Sequence, residues 1–142
     1  MAHEFVMRLI TPTGVMFDGP VREVDAVNPI GEFGVLADHV DYITALSPGI
    51  LTITRPDGAR NQFLVSGGLA EVKDGAMTVL ADEAETPRVV DEAELAAAMQ
   101  RAEEALAAIS LYDVAYAEAA EDVARLRARI RASEMARNPA SS

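Results

Sequence analysis

Two histidines, His3 and His39, together with the chain's 23 acids are the residues from which acid–base or metal chemistry would have to be built, because there is no cysteine. A hydrolytic site needs a nucleophile, a base and a group that orients the base. A metal site needs ligands at spacings such as HxxxH or HxH, and neither occurs. Glu83 and Glu85 form a close acidic pair, but in a chain of net charge -11 such a pair reads as solvated surface. Ser66-Gly67-Gly68 shares its glycines with phosphate loops. It lacks the following lysine and opens no helical pattern, so it reads as a β turn or bulge. No catalytic residue, metal ligand or cofactor is assigned.

The unusual segment is 29–49, PIGEFGVLADHVDYITALSPG. Read as a loop, it uses Gly31 and Gly34 for a sharp backbone path that presents Glu32 outward and turns Phe33 toward the protein. His39, a lone histidine, reads as a hydrogen-bonded packing residue. An exposed acid on a rigid scaffold is a docking element.

The scaffold is written in two grammars. All nine glycines lie before residue 76, among short apolar runs and turn signals. Phe5, Met7 and Leu9 alternate with Val6, Arg8 and Ile10. Leu51 and Ile53 alternate with Thr52 and Thr54, and Met77, Val79 and Ala81 with Thr78 and Leu80. Pro12-Thr13-Gly14, Asp18-Gly19-Pro20, Pro56-Asp57-Gly58 and Asp74-Gly75 supply turn chemistry. Short strands at this spacing predict an antiparallel sandwich or barrel over residues 1–86.

From Pro87 onward glycine vanishes, alanine dominates, and Pro139 is the only later proline. Leu95, Met99, Ala102, Leu106 and Ile109 form one helical stripe, and Val123, Leu126 and Ile130 a second. Ser110-Leu111-Tyr112-Asp113 holds two N-cap residue types and is the expected corner of a hairpin, although one continuous helix remains open. The fold class is therefore α+β, mainly β: a sandwich over 1–86, a helical hairpin over 87–138, and a disordered tail over 139–142.

Charge narrows the partners. An acidic chain with pI near 4.5 is a poor match for nucleic acid, whose affinity comes from Lys and Arg. No apolar run of membrane-spanning length, no basic amphipathic anchor and no signal peptide is present, so any membrane association runs through other proteins. Residues 123–142 carry five arginines and Glu134 as their only acid, after a strongly acidic 88–122. Two readings stay open: helix electrostatics across an antiparallel hairpin, or an arginine face for an acidic partner.

LITPTGVMFDGPV, GEFGVLADHVDYITALSPGIL, FLVSGGLAEV and MTVLADEAE, in this order, resemble the epsilon subunits of F-type ATP synthases over most of residues 7–85. VAYAEAAEDVARLRARIRASEMAR resembles the second helix of bacterial relatives more weakly. The resemblance implies a β sandwich of two five-stranded sheets followed by a helical hairpin. It also implies a non-catalytic rotor subunit on the central stalk, bound to the gamma subunit and set against the c-subunit ring. Glu32 matches the acid that meets the polar loops of that ring, with Phe33 and His39 in the same motif. The hairpin of relatives can extend into the alpha/beta catalytic head and block ATP hydrolysis. That gives Arg125, Arg127, Arg129 and Arg131 a possible contact with acidic segments of the catalytic subunits. With no transit peptide, the expected setting is the cytoplasmic face of a bacterial inner membrane, peripheral to it.

Some relatives bind ATP as a regulatory ligand through an (Ile/Leu)-Asp-x-x-Arg-Ala motif and two arginines four apart. Here the motif position reads Val90-Asp91-Glu92-Ala93-Glu94-Leu95. Asp91 is kept, Arg125 and Arg129 match the pair, and Glu85 matches an upstream acid. The motif arginine is Glu94, which repels triphosphate and with Asp91 looks like a capping box. The expectation is weak or no ATP binding. A nucleotide-sensing module is the alternative reading.

Overall fold

In the computed structural model, which describes residues 3–139, the chain divides at Thr86/Pro87 into two compact units. The first holds ten strands: β1 (Phe5–Thr11), β2 (Gly14–Val21), β3 (Glu23–Asn28), β4 (Gly31–Leu36), β5 (Tyr42–Leu46), β6 (Gly49–Thr54), β7 (Arg60–Val65), β8 (Gly68–Lys73), β9 (Ala76–Ala81) and β10 (Ala84–Glu85). They form two five-stranded sheets, β2-β1-β9-β8-β5 and β10-β7-β6-β3-β4. The alternation read from the sequence is the alternation of the sheet faces. Met7, Leu9, Val24, Val35, Ile53 and Val79 are sealed from solvent in one core, while Val6, Arg8 and Thr78 face outward. Each such apolar side chain contributes about 1.5–3 kcal/mol by leaving water.

Three local expectations are revised. Asp18-Gly19-Pro20 is no turn but the second half of β2, paired with Arg8, Met7 and Val6. β2 is an edge strand, where a proline without an N–H is tolerated. GEFGVL is likewise a strand, β4, and the turn before it is Pro29-Ile30. One strand pair is parallel, β1 with β9; they are far apart in the chain, so no tight hairpin forces them antiparallel.

Ser66 and Gly67 carry the chain from β7 in one sheet to β8 in the other. A Cβ at Gly68 would lie 2.1 Å from the Leu80 carbonyl oxygen, and its φ of +138° belongs to glycine. That crossing, rather than a phosphate, explains the two glycines.

The second unit is a helical pair, α1 (Glu92–Ala107) and α2 (Ala115–Arg137). The corner falls at the expected place: the Asp113 carboxylate accepts from the Ala115 N–H at 2.8 Å, and Ser110 Oγ from the Tyr112 N–H at 3.3 Å. Ile109 lies just past α1, half-buried beside the rest of its stripe. Leu95 and Val123 are buried, as are Ala128, Ala132 and Ser133. Ser133 Oγ holds both the N–H and the carbonyl of Val90, at 2.8 and 3.2 Å, and Arg137 pairs with Glu92. The acidic start of α1 and the basic end of α2 therefore meet. Of the expected disordered tail, residues 140–142 lie outside the described residues.

Candidate functional site

The β3–β4 hairpin is pinned from its own turn. Asn28 Oδ1 accepts the N–H groups of Ile30 and Gly31 at 2.9 and 3.1 Å, and Asn28 Nδ2 donates to the Tyr42 hydroxyl at 3.2 Å. Tyr42 then collects the motif's rings: Phe33 meets it edge-on at 6.0 Å, and His39 at 5.9 Å. Phe33 is half-buried against the sandwich core, and His39 Nδ1 lies 2.7 Å from the Val40 carbonyl. Two strand ends are thus locked together by aromatic contacts and one buried amide. On this support Glu32 stands exposed on an edge strand opposite Val27, two residues from the 95% exposed Ile30. The structure brings Glu32, Phe33 and His39 into one neighbourhood.

Sequence reasoning missed Asn28 and Asp25, which face β4 through cross-strand pairing, and Tyr42, which reaches the hairpin from β5 in the other sheet. Alternation along β3 puts Glu23, Asp25 and Val27 on the outer sheet face, beside Gly34 and Glu32 of β4. Asp25 sits opposite Gly34, and a Cβ on that glycine would come within 2.9 Å of Asp25 Oδ1. Partial burial and a hydrogen bond to Glu23 push the Asp25 carboxyl up to about 6, with the charges of Glu23 and Glu32 adding and that of Arg60 opposing. An open cavity of about 590 Å³ adjoins this face, lined by Arg22, Glu23, Asp38 and Arg60 among others.

The outer face of the other sheet has a different character. Val15, Ile10, Leu80, Leu69 and Ala45 pair in succession across all five strands, giving an apolar row with Val15 and Leu80 about half exposed. A contiguous apolar patch of this kind on a small protein marks a protein-binding surface.

In the helical unit, Asp91 is the N-cap of α1, accepting the Glu94 N–H at 3.0 Å. Arg125 spans Glu121 at 3.0 Å and Asp122 at 2.5 Å on its own helix. Ser133 grips the residue before Asp91, which places Arg125 about 12 Å further along α2 at 1.5 Å per residue. Arg129 lies one turn from Arg125 and has interactions of its own, as does Glu85 on β10. Arg127 and Arg131 are exposed. Among the described residues there is no cluster of His, Asp and Glu able to hold a metal ion, and no helix is long and apolar enough to cross a membrane.

The family described as ATP synthase, Delta/Epsilon chain, beta-sandwich domain matches residues 4–87. The ATP synthase epsilon chain of Nitrosococcus oceani is 41% identical over 131 residues, which cover 90% of this chain and 94% of that one. Among solved structures, a chain in the Euglena gracilis mitochondrial ATP synthase assembly of OSCP, F1 and c-ring superposes with a TM-score of 0.76 at 25% identity. The match covers 92% of this chain and 81% of that one. A chain from the Tetrahymena thermophila mitochondrial ATP synthase central stalk and c-ring matches in fold, with a TM-score of 0.59 at 20% identity, covering 94% and 97%.

Proposed function

The chain belongs to the ATP synthase delta/epsilon family, and from that premise we propose that it is a non-catalytic rotor subunit joining the gamma shaft to the c-subunit ring. The observation that carries this reading is the pinned β3–β4 hairpin, which presents Glu32 on a backing of Phe33, Tyr42 and His39. A fixed acid meets hydrogen-bond donors or cations on a polar partner surface without first losing side-chain and loop freedom. The apolar row on the opposite sheet suits a protein shaft such as gamma, so the two faces give one chain two different partners. Catalysis then belongs to the other subunits, and the chain sits peripherally at the cytoplasmic face of a bacterial inner membrane, held by the complex.

Co-purification with gamma and the ring tests the assignment. The full chain is expected to remain with a gamma–ring assembly, and Glu32→Lys to weaken attachment to the ring while leaving attachment to gamma. Loss of both contacts in the wild-type chain would sink the reading.

The hairpin is proposed to restrain ATP hydrolysis by reaching the alpha/beta head through the arginines of α2. Its modest burial supports an element that can exchange one packing for another. Hydrolysis by the head complex is expected to rise when the full chain is replaced by one ending at Pro87. Nucleotide sensing finds less support, since Asp91 is engaged as a cap, Glu94 stands where relatives carry arginine, and Arg125 is paired within its helix. Calorimetry with ATP on the isolated chain is expected to show weak or no binding.

A further inference from the structure

The corner between α1 and α2 carries apolar side chains into water. Leu111, Tyr112 and Val114 are 66%, 94% and 95% exposed. Single exposed apolar residues are ordinary on a protein surface, but three at one tip make a patch. The backbone beneath them is tied down. The Asp113 N–H donates to the Ser110 carbonyl at 2.9 Å and the Tyr116 N–H to the Asp113 carbonyl at 3.0 Å, in addition to the side-chain bonds of Ser110 and Asp113. A tip held this way meets a partner without first losing backbone freedom, and Tyr112 is the kind of large, stiff side chain that anchors protein interfaces.

Charge describes the partner. Between Ala102 and Ala120 lie Glu103, Glu104, Asp113 and Glu118, all exposed, and no lysine or arginine. The C-terminus of α1 and the N-terminus of α2 bring opposite dipole ends to the corner, so these acids set the local sign. The first arginine of α2, Arg125, lies about 15 Å along the helix from Ala115 at 1.5 Å per residue, and it pairs with Glu121 and Asp122.

We propose that Leu111, Tyr112 and Val114 form a docking knob that seats in an apolar protein pocket edged by lysine or arginine. The apolar side chains supply the buried contact, and the surrounding acids select a basic rim and its register. The hairpin then has two contact surfaces of opposite demand: an acidic-edged knob at the corner, and further along α2 the exposed Arg127 and Arg131, which suit an acidic surface. The inference rests on the chain working within the ATP synthase complex; it needs neither docking through Glu32 nor restraint of hydrolysis.

Because the chain has no cysteine, Ala117→Cys places one solvent-sensitive fluorophore at the exposed start of α2. The labelled full chain is added to a purified complex of alpha, beta, gamma and the c-ring from which this subunit has been removed, and binding is read separately by co-sedimentation. Emission is expected to shift to the blue as the corner leaves water. Leu111→Ser/Tyr112→Ser/Val114→Ser, which touches only exposed side chains and should leave the thermal melt of the chain unchanged, is expected to remove the shift while the chain still co-sediments. Glu104→Lys/Glu118→Lys is expected to cut the shift by about half or more, as is raised salt. A bound chain without a blue shift overturns the knob, and an equal or larger shift in the charge-reversed variant overturns the basic rim. A shift already present in the isolated chain, or one that grows with its own concentration, gives the corner to its own sandwich or to a second copy and overturns the proposal as well. Absence of the chain from the sediment counts against membership of the complex, and the knob falls with it.

Discussion

The sandwich and the helical hairpin hold themselves together by different means. The sandwich seals Met7, Leu9, Val24, Val35, Ile53 and Val79 completely and crosses between its sheets through glycines that admit no side chain. The hairpin buries few large side chains, relying on Leu95, Val123, two alanines and Ser133, with polar ties at its open end. An element with few buried apolar contacts opens at low free energy, whereas a sealed core opens only with the whole domain. The difference is the one expected if, as proposed, the sandwich is a mount that keeps its shape and the hairpin an arm that changes partners.

The largest expected effect attacks the sandwich at its tightest point. Gly68→Val places carbon where the Leu80 carbonyl oxygen lies 2.1 Å away and imposes a strained φ. The cost should exceed about 5 kcal/mol, enough to remove cooperative unfolding of the sandwich in a thermal melt. The hairpin offers no equivalent target, because α1 and α2 contain no glycine. A Gly68→Val protein that melts like the wild type would break the comparison.

Next comes the hairpin's own tie. Ser133→Val keeps the bulk but removes the hydroxyl that serves both polar groups of Val90. About 1 kcal/mol is expected, since a partly buried N–H and carbonyl lose their shared partner. The signature is faster amide exchange across 92–107 and 115–137 with the sandwich amides unchanged. Slowed or unaltered exchange in the helices would show that Ser133 is not a tie.

These two targets also show what could be read from the chain alone. The strand alternation of β1, β6 and β9 and the helical stripes were legible, because one buried face imposes a period on the residues themselves. Edge position is not local information, so Asp18-Gly19-Pro20 and GEFGVL read as turn and loop when both are strand. Ala128 and Ala132 are buried but carry little apolar signal. Glu32, Phe33 and His39 stood out by motif, yet their convergence on Tyr42 and Asn28 depends on a partner strand no spacing reveals. No spacing in the sequence singles out Asp25, whose surroundings are supplied by β4 and β7.

An effect no larger sharpens the contrast inside the sandwich. The Asp25 carboxyl is raised from 3.8 to about 6 on folding. Between those values the folded state binds more protons than the unfolded state, so stability falls as pH rises from about 4 to 6 and the loss persists above. Asp25→Asn should abolish that fall. At pH 8 it should stabilise the sandwich by about 1 kcal/mol, a value reduced for solvent screening at this partly exposed group. Urea midpoints at pH 4 and pH 8 measure it, and a variant less stable than wild type at pH 8 would contradict the sign.

Arg125 carries the smallest expected change in stability and the sharpest distinction between mount and arm. Its two ion pairs, to Glu121 and Asp122, lie on one exposed helix face, where such pairs contribute about 0.5 kcal/mol or less and fade with salt. Arg125→Ala should therefore leave the melting of the isolated chain almost unchanged. If α2 meets acidic segments of the head, the same substitution removes a cation from that contact. Hydrolysis by the head complex should then rise by a few fold with no matching loss of stability, an effect that salt reproduces in the wild type. Arg127→Ala, on another face of α2, reports which side of the helix makes the contact. Stability lost without a change in hydrolysis would make the Arg125 pairs structural ties like Ser133, and the arm would have no demonstrated grip through this residue.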